Sequence, residues 1–420
     1  MSLVAISDLF NFEKGKLQSS KCVAGEYNFL TASAEWKTHN EYACDGEALV
    51  FAAAASGSLG RTHYVNGKFI ASDLCFIITP KDEKTYPIDL QFYHILFNDL
   101  KEDIVKNTKA GTSKEAIGLK SFGRYKLPYF ELEQQRQIKS KFIESNDLKN
   151  DLIIEQETQL THLKLLRQQI LTDAMQGKLD VPRAVGERGA DLLSRIQAEK
   201  AKTVKKAKPL SEIKADDIPF DIPEHWTWCR LGDIFKFIDY RGKTPVRTDT
   251  GVRLISAKNI KMGYIDNNPI EYIDENHYDS WMVRGFPKNG DLLFVTEGHT
   301  MGFVAQIDLD FKYILAQRTI CLQPYSYDYS SFTKYLIMSE PIQRKIKSMA
   351  TGAAATGVKS SKLKELVIPL PPLSEQIAIV SKIESLMALC NKLEVNIRQN
   401  QEYTQMLYQT ALREALQQPA

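Results

Sequence analysis

The residues best suited to chemistry form incomplete versions of catalytic motifs. Gly242-Lys243-Thr244 ends like a phosphate-binding loop, whose backbone N–H groups cradle phosphate while the lysine reaches the outer oxygens. Such a loop needs a glycine five residues before the Gly-Lys pair, and Phe237 stands there. Ser58, within Ser56-Gly57-Ser58-Leu59-Gly60, sits as the nucleophile of a strained strand-to-helix turn would, but Ser56 replaces the first required glycine. Asp291 and Glu297 imitate the carboxylates of a nuclease metal site, yet His299 occupies the place of the expected lysine. No His-Glu-x-x-His or Gly-x-Gly-x-x-Gly segment occurs, and Asn268-Pro269-Ile270-Glu271 lacks the second proline and aromatic residue of an amino-methyltransferase motif. The sequence points away from an active site.

The elements around these residues are organised as a repeat. A shift of 241 residues carries Leu127-Pro128 onto Ile368-Pro369, Leu132 onto Leu373, Gln135 onto Gln376 and Ile138 onto Ile379. The same register continues through Leu152 and Leu393 to Ala174 and Ala415. The two beginnings match at another offset, Ile6-Ser7-Asp8-Leu9-Phe10 with Leu231-Gly232-Asp233-Ile234-Phe235. Between these marks lie short β-branched and aromatic runs bounded by turn residues, such as Leu74–Thr79 and Leu292–Val295, which predict strands. Phe92–Lys106 and Phe332–Met349 carry apolar residues at helical spacing, predicting one helix in each half.

Each half closes on a segment without internal Gly or Pro, Glu133–Gln176 and Ser374–Gln417, of 44 residues each. As helices these would extend ~65 Å at ~1.5 Å per residue. Ile379, Ile383, Leu386, Cys390, Leu393, Ile397, Asn400, Thr404, Leu407 and Ala411 step alternately by four and three, the period of a coiled coil. Ile138, Phe142, Leu148, Leu152, Leu163, Leu166, Ile170 and Ala174 form a noisier stripe on the first segment. Two such stripes in one chain predict two long helices packed antiparallel.

Composition sets outer bounds. A length of 420 residues calls for two or three domains. With 54 basic and 52 acidic residues the net charge is +2, which excludes a histone-like protein but leaves room for local basic patches. Cys22, Cys44, Cys75, Cys229, Cys321 and Cys390 form no Cys-x-x-Cys pair and read as buried free thiols. No apolar run approaches the ~20 residues of a membrane span, and the first residues lack the basic flank of a signal peptide.

Ile368-Pro369-Leu370-Pro371-Pro372-Leu373-Ser374-Glu375-Gln376 resembles the signature that opens the long helices of type I restriction-modification specificity subunits, the HsdS family. Its prolines would fix an extended strand end, and Ser374 would cap the helix. Leu127-Pro128-Tyr129-Phe130-Glu131-Leu132-Glu133-Gln134-Gln135 is a degenerate copy. Ile222-Pro223-Glu224-His225-Trp226-Thr227-Trp228 is similar to the family's lead into a recognition domain, and Arg241-Gly242-Lys243-Thr244-Pro245 to the segment after it. The first half lacks both features. The resemblance implies an α+β fold with an internal pseudo-twofold repeat. Two mixed, strand-rich target-recognition domains (1–130 and 218–372) would be separated by long antiparallel coiled-coil helices (131–182 and 373–417), with a polar linker at 183–217. It further implies a non-catalytic cytoplasmic subunit, of bacterial or archaeal origin, that has no cofactor of its own. The subunit would read a bipartite site in double-stranded DNA beside two modification subunits carrying S-adenosylmethionine, and restriction-translocase subunits would join them.

For DNA contact, the polar and basic segments Gly352–Lys362 (Thr356, Lys359, Ser360, Ser361, Lys362) and Gly111–Lys120 (Thr112, Ser113, Lys114, Lys120) suit phosphates. Arg241, Lys243, Arg247, Lys258, Asn259 and Arg318, with Arg61 and His63 in the first half, could bond base edges. Lys200, Lys202, Lys205, Lys206 and Lys208 fit either phosphate contact or a solvated face. A self-sufficient methyltransferase or nuclease, and a coiled-coil scaffold without a DNA role, remain as alternatives.

Overall fold

Apolar residues three apart at the start of each half, Ile6 and Leu9, then Leu231 and Ile234, fold into a single buried helical turn between two strands. In the computed structural model the described residues are 2–54, 57–110, 115–183, 185–203, 209–240, 245–316, 318–326, 329–351 and 356–417, without the side chains of 416 and 417. The chain divides into two compact units, residues 1–156 with 399–420, and residues 157–398.

The first unit runs β1 (Ser2–Ala5), α1 (Ile6–Leu9), β2 (Phe10–Lys14), β3 (Tyr27–Leu30), β4 (Lys37–His39), β5 (Cys44–Ala52), β6 (Thr62–Ala71), β7 (Cys75–Pro80), α2 (Leu90–Asp99), α3 (Lys101–Thr108), the small hairpin β8 (Lys109–Ala110) and β9 (Ala116–Ile117), α4 (Leu119–Arg124) and β10 (Lys126–Tyr129). Six strands form one sheet in the order β2-β7-β5-β6-β3-β4, antiparallel except where β3 runs parallel to β6. Alternation along β5 fills both faces: Leu49 and Phe51 join a cluster with Phe97 and Phe122, while Ala48, Val50 and Ala52 meet Leu30 and Phe69 opposite. Outside this sheet, β1 pairs antiparallel with β10, joining the entry of the unit to its exit.

From β10 the chain enters α5 (Leu132–Met175), and in the second unit α6 (Gly189–Thr203) precedes β11 (Thr227–Arg230), α7 (Leu231–Ile234), β12 (Phe235–Asp239), β13 (Val252–Ile255), β14 (Tyr272–Ile273), α8 (Tyr278–Trp281), β15 (Leu292–Val295), β16 (Val304–Gln306), β17 (Tyr313–Leu315), β18 (Thr319–Pro324), α9 (Ser330–Met338), α10 (Glu340–Ser348), α11 (Ser360–Lys364), β19 (Val367–Leu370) and α12 (Leu373–Gln417). The pairing of β11 with β19 repeats that of β1 with β10. The sheet, however, is split into β12-β18-β15-β16 and β14-β13-β17. Strand β6 of the first unit pairs with both β5 and β3; here β16 takes the first role and β17 the second, with Ile307–Lys312 between them. Asp308 and Asp310 in that interval disfavour a continuous strand.

The signature glutamine is a clamp in both halves. Gln376 Nε2 donates to Pro371 O (2.8 Å), and Gln135 Nε2 donates to Phe130 O (2.7 Å) and Pro87 O (2.9 Å). Each thereby binds the strand end to the first helical turn. The neighbouring Glu375, 3% exposed, meets His225 Nε2 at 2.7 Å, so the lead into the second unit is held to the start of α12. Ser374 does not cap that helix: α12 begins at Leu373, and the serine hydroxyl bonds Glu187 Oε2 (3.0 Å). At the other end of α5, Gly177 takes φ +67°, and a Cβ there would lie 2.5 Å from Pro223 Cγ.

Four further expectations need correction. The single helix predicted over Phe92–Lys106 is α2 and α3, broken at Leu100 (φ −83°, ψ 7°). That predicted over Phe332–Met349 is α9 and α10, broken at the extended Ser339, because Pro341 has no N–H to continue α9 and fits the first turn of a new helix. The coiled-coil register also drifts. In the second unit Ile379, Ile383 and Cys390 are buried as expected, but Leu393 is 49% exposed and Glu394 turns inward to Arg167 (3.0 Å). In the first unit Thr404 is buried as expected, but Gln401, Tyr408 and Leu412 are half-buried in place of the exposed Asn400, Leu407 and Ala411, one residue later. An α-helix turns every 3.6 residues and slips past a strict 3.5 repeat by ~20° per heptad. On α5 the same drift exposes Leu148, Leu152 and Leu166. The helices are antiparallel where they meet in the first unit: Gln156 Nε2 donates to Thr404 Oγ1 (3.2 Å), and Phe142 packs on Tyr408. Four cysteines are buried, but Cys22 and Cys44 are only half-buried.

These contacts separate two positions of similar appearance in sequence. Ile383→Asp should destabilise the protein by at least about 1.5–3 kcal/mol, the value of the lost burial alone, whereas Leu393→Asp should leave the urea midpoint unchanged. Gln376→Ala should cost about 0.5–1.5 kcal/mol, and Gln135→Ala more, since it also accepts from Asp89 N. Equilibrium denaturation of the four variants checks both statements.

Candidate nucleic-acid interface

The loops at one edge of each unit are built on the same hydrogen-bond frame. Thr31 Oγ1 accepts from Ser33 N just after β3, and Ser256 Oγ accepts from Lys258 N just after β13. Ser72 N donates to Leu30 O, and Ala316 N to Ile255 O. Ala53 N donates to Leu74 O and Ile117 N to Ala53 O; their counterparts are Thr296 N to Arg318 O and Val358 N to Thr296 O. Ser33 thus corresponds to Lys258, Leu74 to Arg318, and α4 to α11.

In the second unit this frame brings three expected residues together. Arg247, Lys258 and Arg318 border a cleft of about 270 Å³ floored by Leu254, Ala257 and Ala316. Glu271, with its side chain 12% exposed, lies between two of them, 3.0 Å from Lys258 Nζ and 3.5 Å from Arg247 Nε. Arg318 pairs with Glu297 (3.0 Å). Its φ of 74° makes it the only non-glycine residue in the left-handed region among the described residues, a strain fixed by Thr296, whose N–H and hydroxyl both donate to its carbonyl. The three cationic side chains are more than half exposed, so the carboxylates orient them without hiding them. An oriented guanidinium is suited to bidentate bonding of a base edge or phosphate.

The basic segment lies on the same frame. Gly357 bridges to Glu297, Thr356 O accepts from Gly298 N, and Thr356, Lys359, Ser361 and Lys362 are exposed, with Ser360 half-buried. Lys120 is exposed on α4 in the first unit. Thr112, Ser113, Lys114, Arg241 and Lys243 lie outside the described residues, as do Lys205, Lys206 and Lys208. Lys200 is structural, its ammonium donating to Gly232 O (2.8 Å), and Lys202 pairs with Glu199.

Two expected readers face inward. Asn259 is fully buried; its amide donates to Asp266 O and Pro269 O and accepts from Ser256 N, which spends it on shaping the loop. His63, 9% exposed, bridges Ser33 O and Trp36, and burial lowers its pKa. Arg61 donates to Ala32 O (3.1 Å) and Ser58 Oγ (3.4 Å) from the rim. Sequence reasoning missed Trp36 and Glu271, and noticed Glu297 only as half of a nuclease-like pair, not as the partner of Arg318. Nothing in local spacing marks these roles, because each depends on partners distant in sequence. The nuclease-like carboxylates are likewise apart in role: Asp291 is fully buried, with a pKa raised by burial, and bonds Gln323, while Glu297 holds Arg318. Among the described residues no group of three or more His, Cys, Asp or Glu side chains could hold a metal ion, and no helix is long and apolar enough to cross a membrane.

Comparison with known proteins agrees with this architecture. The family model "Type I restriction modification DNA specificity domain" matches residues 1–162 and 223–402. The chain is 31% identical over 264 residues to the type I restriction enzyme EcoAI specificity subunit of Escherichia coli, covering 60% of this chain and 44% of that protein. It is 24% identical over 328 residues to the MjaVIII specificity subunit of Methanocaldococcus jannaschii, covering 75% and 66%. The chain thus spans about half the length of the E. coli relative. Among solved structures, the HsdS subunit from Thermoanaerobacter tengcongensis shares the fold at 17% identity and a TM-score of 0.56, over 99% of this chain and 96% of that one. A chain from a structure of complex assembly in the type I R-M system does so at 15% and 0.64, over 99% and 97%. With two separate matches that together span most of its length, this chain belongs to the family of type I restriction modification DNA specificity domains.

Proposed function

We propose that the chain is the specificity subunit of a type I restriction-modification complex, reading double-stranded DNA through two half-sites, one per unit. The observation that carries this reading is the shared hydrogen-bond frame, which presents a loop edge in each unit, with Arg247, Lys258 and Arg318 exposed in the second and Lys120 in the first. Duplicated frames with different side chains suit a target whose two halves differ in sequence while the phosphate backbone stays the same. Family membership and the likeness to named specificity subunits support the same reading.

The long helices α5 and α12 carry the remaining roles. They set the unread spacer between half-sites and dock two modification subunits, against which the exposed Leu148, Leu152, Leu165, Leu389 and Leu393 offer apolar surface. S-adenosylmethionine belongs to those subunits, and this chain, which performs no catalysis itself, needs no cofactor. Restriction-translocase subunits complete the assembly, which works on DNA in the cytoplasm.

Modularity is the sharpest consequence. Exchanging residues 1–125 for the matching stretch of a related chain, within the complete complex, should change one half of the methylated sequence and leave the other intact. Long-read methylome sequencing of the host reports both halves at once. A change in both halves would mean that the units read DNA jointly, and the proposal would fall.

A further inference from the structure

In the first unit, the turn equivalent to that of Lys258 carries no cation at the matching position, since Ser33 stands there. Ser33, Ala34, Glu35 and Trp36 are exposed there, and Trp36, 42% exposed, is the one large apolar side chain among them. An indole N–H can only donate, and Trp36 Nε1 lies 3.2 Å from His63 Nδ1. That nitrogen therefore carries no proton. The proton sits on Nε2, which donates to Ser33 O at 2.9 Å. His63 in this single tautomer joins the loop backbone to the indole, with the rings edge-on at 6.0 Å. Arg61 braces the turn from its other side through Ala32 O. The lowered pKa of His63, from burial in the sheet, keeps the imidazole neutral and the bridge intact.

An exposed indole is ordinarily mobile; this one is oriented by a buried histidine, on a loop whose start Arg61 ties down through Ala32 O. We propose that Trp36 is a specificity-determining residue of the first unit, held by His63 as a positioning residue, and that it packs against an apolar base edge in one DNA half-site. Thymine's C5-methyl group is the apolar feature a base pair presents in the major groove. The inference rests on the reading of the chain as a specificity subunit, and it explains how a half that lacks a Lys258 equivalent discriminates bases.

The test uses the complete complex in a host and maps its methylated motif. The unaltered chain comes first: absence of any bipartite motif there would overturn the specificity-subunit reading itself, separately from this inference. Given a motif, Trp36→Ala should make at least one position in one half degenerate, with discrimination there falling roughly tenfold, while the other half keeps its strictness. His63→Asn should relax the same position less. Tyr42→Ala, at another exposed aromatic of the first unit, packed on Lys68, should leave the motif unaltered. An unchanged motif with Trp36→Ala, or equal relaxation with Tyr42→Ala, overturns the proposal. If Trp36→Ala abolishes methylation altogether, Trp36→Leu decides: a relaxed position in one half supports the inference, and an unchanged motif or complete loss overturns it.

Discussion

The antiparallel pairing of β1 with β10 and of β11 with β19 is the constraint on which the rest depends. Four residues of ladder hold the entry of each unit's sheet region to its exit, with Ser2 opposite Tyr129 and Thr227 opposite Leu370. Because the exit strand runs directly into a long helix, the helix inherits its direction from this ladder. The signature glutamine makes that inheritance rigid. A fully buried side chain bonded to the carbonyl two residues before the helix cannot be satisfied if the strand end swings away, and an unmade bond there is costly. The loop edge is tied to the same framework through the sheets, since β2 and β12, which follow α1 and α7 directly, pair with β7 and β18, the strands that Leu74 and Arg318 precede.

The helical pair works under a different rule. A long seam of apolar residues would be strongest if it followed the 3.5 repeat, but α12 keeps its natural turn and the seam passes through polar side chains. Gln156 meets Thr404 in the first unit, and Arg167 meets Glu394 in the second. Polar contacts of this kind add little stability and fix register well, because a slip by one turn leaves them unpaired. The leucines displaced from the seam lie on the surface instead.

Much of this was legible in the sequence. The repeat at 241 residues, the matched entry turns, the paired long helices and the family signature all rest on local pattern, and local pattern survives folding. The failures have physical sources too. Pro341 lies inside the interval read as one helix, and its ring and missing N–H end α9 before it. The stripe at Leu393 and Leu407 followed a period that an untwisted helix does not keep. At the interface, Arg247, Lys258 and Arg318 were each visible as basic residues. Their meeting was not visible, because it depends on β13 lying parallel to β17 and on a strained φ at Arg318. Asn259 looked like a base reader from its side chain alone, but the turn it closes consumes all its hydrogen bonds. Trp36 has no sequence signal, since its partner His63 lies on another strand.

The division of one long strand in the first unit into β16 and β17 in the second has a consequence for how sequence can change. Along β6, a residue gained or lost would flip every later side chain to the wrong face of the sheet and scramble both ladders that the strand serves. Between β16 and β17 the same event is absorbed by a connection that belongs to neither ladder, so the cleft and the core stay in register. The second unit is therefore the more tolerant of insertions and deletions, and related chains should differ in length there while conserving the length of β6.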